Sequence, residues 1–230
     1  MRQLLTDNER AHLAVLASIV RFKKGEIIYL EGDNADAIFN IITGVVSAYK
    51  DGTGGSGHVV AFLLPDDLFG LSAERTYANS TRAITAVTAY RLPVSALRSR
   101  LSKNAELEFH VICKLCQELR QAQRHAFLLS QKSAVTKLAM FLQMIEQLQS
   151  ARNEQTAEIY LPMSRSDIGN YIGTTLAAVS RAFRSLNTRG VIKVRNRRYV
   201  TITNRATFEK IAGDPIGGPV LVARPLPTSQ

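Results

Sequence analysis

Tryptophan is absent from this 230-residue chain, and cysteine occurs only twice, at Cys113 and Cys116. Two cysteines three apart in a helical pattern are too few for a disulfide framework and are ordinary in a reducing compartment. No run approaches the ~18 consecutive apolar residues that read as a bilayer span. The opening stretch MRQLLTDNERAHL is interrupted by Asp7, Asn8 and Glu9, so it does not read as a signal peptide. A cytoplasmic protein with no membrane association is expected. Equally missing are a nucleophile–base pairing, a metal-spaced His/Cys/Glu cluster and a phosphate loop in a suitable context, so an enzyme is not expected. The four histidines, His12, His58, His110 and His125, show no pattern for axial haem ligation and read as surface or core residues.

What is present is basic charge, unevenly spread. The net charge is +10. Residues 131–212 hold 13 Lys/Arg against 5 Asp/Glu, a net of +8, whereas residues 1–130 hold 15 against 13, a net of +2. Basicity gathered in the C-terminal third suits a domain that meets a polyanion. A generally basic protein would carry its charge evenly.

Thr6 and Glu9 make a capping box, and Leu13, Leu16, Ala17 and Val20 follow at helical spacing. From Phe22 to Pro93 short β-rich runs are punctuated by Gly and Asp, predicting an antiparallel all-β domain. Gly52, Gly54 and Gly57 have the spacing of a dinucleotide fingerprint, but HVVAFLL follows where that motif needs a helix. A hairpin tip is the better reading. Between 103 and about 131, Ile112, Leu115, Leu119, Ala122, Ala126 and Leu129 recur with 3-4-3-4-3 spacing, an a/d seam that predicts a self-paired coiled coil. In that frame Cys116 flanks the seam and Cys113 points towards the rest of the subunit; packing is their expected role, with thiol sensing through Cys116 as the alternative. A second helix places Val135, Leu138, Ala139, Leu142 and Ile145 on one face, and the polar loop ARNEQTAE follows it. The tail 213–230, rich in Gly and Pro and without periodicity, is expected to be disordered.

The region between loop and tail carries the functional signal. Ser164 is suited to cap a short helix with Asp167 in its first turn, and Ile168, Tyr171 and Ile172 form its apolar face. Gly173 supplies a turn, Thr174 or Thr175 can cap the next helix, and TLAAVSRAFRSLNTRG buries Val179, Phe183 and Leu186 up to Gly190. Helix, glycine turn and helix within about 25 residues form a helix-turn-helix pattern. VIKVRNRRYVTIT then alternates in and out around Lys193, Arg195, Asn196, Arg197 and Arg198, which predicts a β-hairpin wing with a basic tip. On the second helix Thr175, Ser180, Arg181 and Arg184 are polar, and an arginine there can grip guanine O6 and N7.

The stretches FxKGEIIYLEGD, DLFGL, LLSQKSAVTKLAMFL and RSDIGNYIGTTLAAVSRAF resemble the CRP/FNR family of bacterial regulators, most closely its FNR-like and FixK-like branch. The resemblance covers nearly the whole chain. It implies a β-roll sensor domain, a long dimerisation helix and a winged DNA-binding domain, with RNA polymerase as a partner. The branch carries a Glu four residues before the recognition Arg; here that position is Ala177, preceded by Leu176, while Arg181 is kept. A half-site that differs from the branch consensus, or is relaxed, at the Glu-read base pair is expected. Members that bind cyclic nucleotide use a Gly-Glu pair and an Arg. These positions are Gly70-Leu71 and Ser80 here, with Arg82 two residues on as a substitute able to reach a pocket. Standard cAMP binding is not expected. Neither is an iron–sulfur cluster, since the N-terminal cysteines of the oxygen sensors are missing.

The expected fold is α+β: an N-terminal antiparallel β-roll over 1–102, a dimerisation helix over 103–131, a winged helix-turn-helix over 132–212 and a tail over 213–230. The expected function is a homodimeric, sequence-specific DNA-binding transcription regulator acting on double-stranded DNA at a pseudo-palindromic site. Ser164, Arg165, Thr175, Leu176, Ala177, Ser180, Arg181, Arg184, Lys193, Arg195, Arg197 and Arg198 are its candidate DNA contacts. The alternative is a small-molecule or redox sensor that signals mainly through protein partners. The sequence leaves the effector, the target genes and the choice of activation or repression open.

Overall fold

A computed structural model describes residues 16–52, 57–150 and 158–213. The Thr6–Glu9 capping box, Leu13, His12, Gly54, most of the polar loop and the tail beyond Gly213 lie outside the described residues. The described residues divide into two compact units, one drawn from residues 16–108 and Pro162–Gly173, the other from Phe109–Leu161 and residues 174–213.

The first unit holds two four-stranded antiparallel sheets, ordered β1-β8-β3-β6 and β2-β7-β4-β5. The first sheet uses β1 (Ser18–Phe22), β3 (Ala37–Thr43), β6 (Leu68–Phe69) and β8 (Val87–Pro93); the second uses β2 (Ile27–Tyr29), β4 (Val46–Lys50), β5 (His58–Leu63) and β7 (Ser80–Ala83). Val20 departs from the helical expectation. It lies in β1 opposite Ala89 of β8, because adjacent β-branched Ile19 and Val20 favour a pleated surface and a long partner strand is available. Strands β4 and β5 form a hairpin with Lys50 opposite His58. Gly57 leads directly into β5 and not into a helix, so the glycine triplet is not a dinucleotide loop.

Alternation sends Ala37, Phe39 and Ile41 of β3, Val46 and Ala48 of β4, Ala83 of β7 and Val87 and Ala89 of β8 into one core. Tyr29 and Tyr77 stack there with ring centroids 3.6 Å apart, and Phe39 stacks on Phe69 at 5.1 Å. The Tyr77 hydroxyl donates to the Ala37 carbonyl at 2.8 Å. Burial raises the pKa of both tyrosine hydroxyls above the ordinary value. The helix α1 (Val94–Leu101) lays Leu97 against Ile38 and Leu92 on the far side of the first sheet.

The long helix α2 (Ala105–Ser130) runs from one unit into the other and matches the element expected over 103–131. In the second unit, α3 (Ala134–Ser150) is the central helix, with Leu138, Ala139, Phe141, Leu142 and Ile145 buried. It packs against α5 (Leu176–Thr188) and α6 (Arg205–Ala212). A three-stranded antiparallel sheet, ordered β10-β11-β9, completes the unit with β9 (Ile159–Tyr160), β10 (Ile192–Arg195) and β11 (Tyr199–Ile202). Gln149 at the end of α3 is buried but satisfied: its amide donates to the Tyr160 carbonyl at 2.7 Å and accepts from the Tyr160 N–H at 3.1 Å. It thus completes the pairing of the short strand β9.

Candidate nucleic-acid interface

Helix α4 (Arg165–Tyr171) starts as its sequence requires. Ser164 is extended at φ −72° and its Oγ accepts from the Asp167 N–H at 3.1 Å, while the Ser164 N–H donates to Asp167 Oδ2 at 2.9 Å. This reciprocal pair satisfies two N-terminal donors. Asp167 Oδ1 also accepts from Arg82 Nη2 at 3.3 Å, and the Tyr171 ring lies 5.2 Å from that of Phe62 on β5. Ser164 is exposed and Arg165 half-buried. Gly173 follows at φ +63°, a conformation that side-chain-bearing residues disfavour.

Of the two candidate caps for the next helix, Thr175 takes the role: its Oγ1 accepts from the Ala178 N–H at 3.2 Å. Helix α5 is strongly two-faced. Val179, Ala182, Phe183 and Leu186 are buried, while Leu176, Ala177, Ser180, Arg181 and Arg184 are exposed. Leu176, at 53% exposure, is a large apolar side chain among polar neighbours on that face.

The wing forms as the alternation predicts. Strands β10 and β11 pair from Ile192↔Ile202 to Arg195↔Tyr199. The Arg198 N–H donates to the Arg195 carbonyl at 3.2 Å, and Asn196 and Arg197 both have positive φ, +50° and +59°. That is a type I′ turn, whose twist matches the strands it joins. Lys193, Arg197 and Arg198 are exposed. Arg195 is exposed too, but is paired at the surface: it donates to both Glu158 carboxylate oxygens, at 3.2 and 2.6 Å, and its guanidinium carbon sits 4.2 Å from the centre of the Tyr199 ring. The Arg195 hydrogen bonds hold the Glu158 pKa below the usual carboxylate range. In the sequence Glu158 only ends a polar loop, and nothing local marks a partner 37 residues away.

On α2, all six seam positions, Ile112, Leu115, Leu119, Ala122, Ala126 and Leu129, are exposed in the single chain, and Leu119 reaches 61%. Phe109, 53% exposed one turn before Ile112, extends the apolar strip; the heptad frame does not predict it, because it falls outside the a and d positions. Cys116 is exposed and Cys113 half-buried.

The four effector-pocket candidates, Gly70, Leu71, Ser80 and Arg82, all lie in the β-roll unit. Gly70 sits inside the β-roll, where an added Cβ would come 3.1 Å from the Ala37 carbonyl and 3.2 Å from the Tyr77 ring. Leu71 is 47% exposed. Ser80 is buried and accepts from the Glu31 N–H at 2.9 Å. Arg82 is exposed, opposite Ser47 on β4, and its guanidinium lies 5.8 Å from the Tyr49 ring centre.

A β-roll followed by a long helix and a winged helix-turn-helix defines a class of DNA-binding regulators. Residues 19–104 match the cyclic nucleotide-binding domain family, and residues 136–211 match the Crp-like helix-turn-helix domain. The chain is 32% identical over 175 residues to the nitrogen fixation regulation protein FixK of Bradyrhizobium diazoefficiens, covering 76% of this chain and 74% of that one. It is 30% identical over 173 residues to the transcriptional activator protein FnrA of Stutzerimonas stutzeri, covering 74% and 71%. The solved structure of FixK2 from Bradyrhizobium japonicum superposes with a TM-score of 0.80 at 30% identity, over 86% of this chain and 98% of that one. The chain belongs to the CRP/FNR family, in its FixK/FNR-like branch, and is a transcription regulator with a helix-turn-helix DNA-binding domain. The alternative of a sensor that signals mainly through protein partners is not favoured. No helix among the described residues is long and apolar enough to cross a membrane.

Proposed function

We propose that the protein acts as a homodimer on a pseudo-palindromic duplex site in the cytoplasm, without enzymatic activity, and works with RNA polymerase. The division of labour follows the sequence boundaries: a sensor domain over 1–102, a dimerisation helix over 103–131 and a DNA-binding domain over 132–212. The observation that carries this reading is the two-faced α5, which buries Val179, Phe183 and Leu186 and leaves Arg181, Arg184 and Ser180 together on the exposed side.

Arg181 is the guanine reader, because a guanidinium fork matches O6 and N7 together. Leu176 and Ala177 offer only apolar contact, which suits the thymine methyl group and leaves no acceptor for cytosine N4. Ser164, Arg165, Thr175, Arg184, Lys193 and Arg198 contact the backbone and fix the register. Arg195 braces the wing from within. The exposed apolar strip of α2 supports self-association, since a contiguous apolar stripe on a soluble helix seeks a partner. Two recognition helices then meet half-sites about one helical turn apart.

In vitro selection of random duplexes on the purified protein, with no ligand added, tests this reading. The expected result is a two-fold-symmetric site that Arg181→Ala no longer enriches. Enrichment of no sequence, with and without candidate nucleotides or oxidant, would reject it.

A further inference from the structure

The wing tip is built from residues that its turn does not favour. A type I′ turn asks for positive φ at both central positions, which Asn-Gly satisfies most easily. Asn196 meets the first demand, but the second, at φ +59°, is met by Arg197. Glycine there would be the better turn former. Backbone held in a sparsely populated region persists where the surroundings enforce it, and such places cluster at functional sites.

The surroundings here do enforce it. Arg195, just before the turn, is clamped on Glu158 and over the Tyr199 ring. Arg198, just after it, accepts through its carbonyl from the Leu161 N–H at 2.7 Å. Both stems of the three-residue loop Asn196–Arg198 are thus fixed, and Asn196 and Arg197 stand exposed at a narrow, braced apex.

Contact with phosphate alone needs none of this, because a lysine on a flexible stem suffices. A slender apex that presents Asn beside Arg carries the side chains that read the minor groove, and a narrow A·T-rich groove concentrates the negative potential that attracts a guanidinium. We propose that Asn196 and Arg197 at the wing apex enter the minor groove beside each half-site and select A·T-rich flanks. This inference rests on the DNA-reading function proposed above and assigns specificity to positions that α5 does not reach.

The test holds the selected core constant and varies only the flanks. Dissociation constants are measured for the full chain with A·T, G·C and inosine·C flanks. Inosine·C presents the guanine pattern in the major groove but lacks the N2 amino group that marks G·C in the minor groove. The expected result is binding on the order of tenfold tighter to A·T than to G·C flanks, with inosine·C behaving as A·T. Arg197→Gly should abolish the preference and unfold at no lower a temperature than the parent. Inosine·C behaving as G·C would overturn the proposal, as would equal flank preference in Arg197→Gly. A parent that reads the core but ignores the flanks would overturn the inference alone, whereas one that reads no core would take the underlying function down with it.

Discussion

Arg195 grips Glu158 with two hydrogen bonds, at 3.2 and 2.6 Å, while lying 4.2 Å from the centre of the Tyr199 ring, so the cation nearest the wing stem is already occupied. The guanidinium links the chain just before β9 to the end of β10, and the aromatic ring of β11 supports it from below. A residue read from sequence as a phosphate contact is thus also tied to two neighbouring segments of its own unit.

This separates Arg195 from its neighbours in a salt titration. Removing one cation that neutralises a phosphate should lower the slope of log K against log salt by about 0.9. Arg198→Ala is expected to show that change with little effect on thermal stability. Arg195→Ala should lower the melting temperature of the C-terminal unit and leave the slope as it was. A reduced slope in Arg195→Ala with unchanged stability would reverse the assignment.

The same pair carries a pH signature. The Glu158 pKa is depressed by its hydrogen bonds to Arg195, so its stabilising contribution is full above the ordinary glutamate range and fades as pH falls through the folded value. Glu158→Gln should be less stable than the parent at neutral pH, with the gap in melting temperature closing in acid. A gap that is constant from pH 7 down to about pH 3, below the ordinary carboxylate range, would exclude the charged pair as its source.

The contrast between what was legible and what was not follows interaction range. Caps, turns and faces depend on residues three or four apart, so Ser164, Thr175, Gly173 and the buried side of α5 could be read directly. The a/d strip of α2 was readable for the same reason. Val20 was not, because Leu16 and Val20 fit a helical period equally well and the competing strand partner, Ala89, lies far along the chain. The clamp between Glu158 and Arg195, the Gln149 bonds to β9 and the pairing of Arg82 with Asp167 are long-range encounters between polar side chains, and hydrophobic patterning carries no record of them.

Self-association through α2 predicts a sharp response at Leu119. It is the most exposed of the large apolar seam residues, at 61%. A lysine there would place like charges face to face across the proposed seam, and removing that apolar contact twice per dimer forfeits about 1.5–3 kcal/mol per leucine. Leu119→Lys should sediment as a monomer at concentrations where the parent is dimeric, with its helix content retained. It should also lose the advantage of a symmetric site over a single half-site. A variant that stays dimeric would move the interface elsewhere on the chain.

Phe208 offers the clearest stability test of the DNA-binding half. It is fully buried on α6, which packs on α3, and Asn204 caps that helix by accepting from the Thr207 N–H at 3.0 Å. Interiors are packed at near-crystalline density, so removing a buried ring leaves a cavity as well as losing transfer energy. Phe208→Ala should cost about 3–5 kcal/mol, whereas Asn204→Ala, which removes only the cap, should cost about 1 kcal/mol. Chemical denaturation followed by circular dichroism measures both. The β-roll core, built around Tyr29, Phe39 and Ile41, should keep its own transition in each variant. A Phe208→Ala loss no larger than that of the cap variant would mean that α6 is not part of the core that holds the recognition helix.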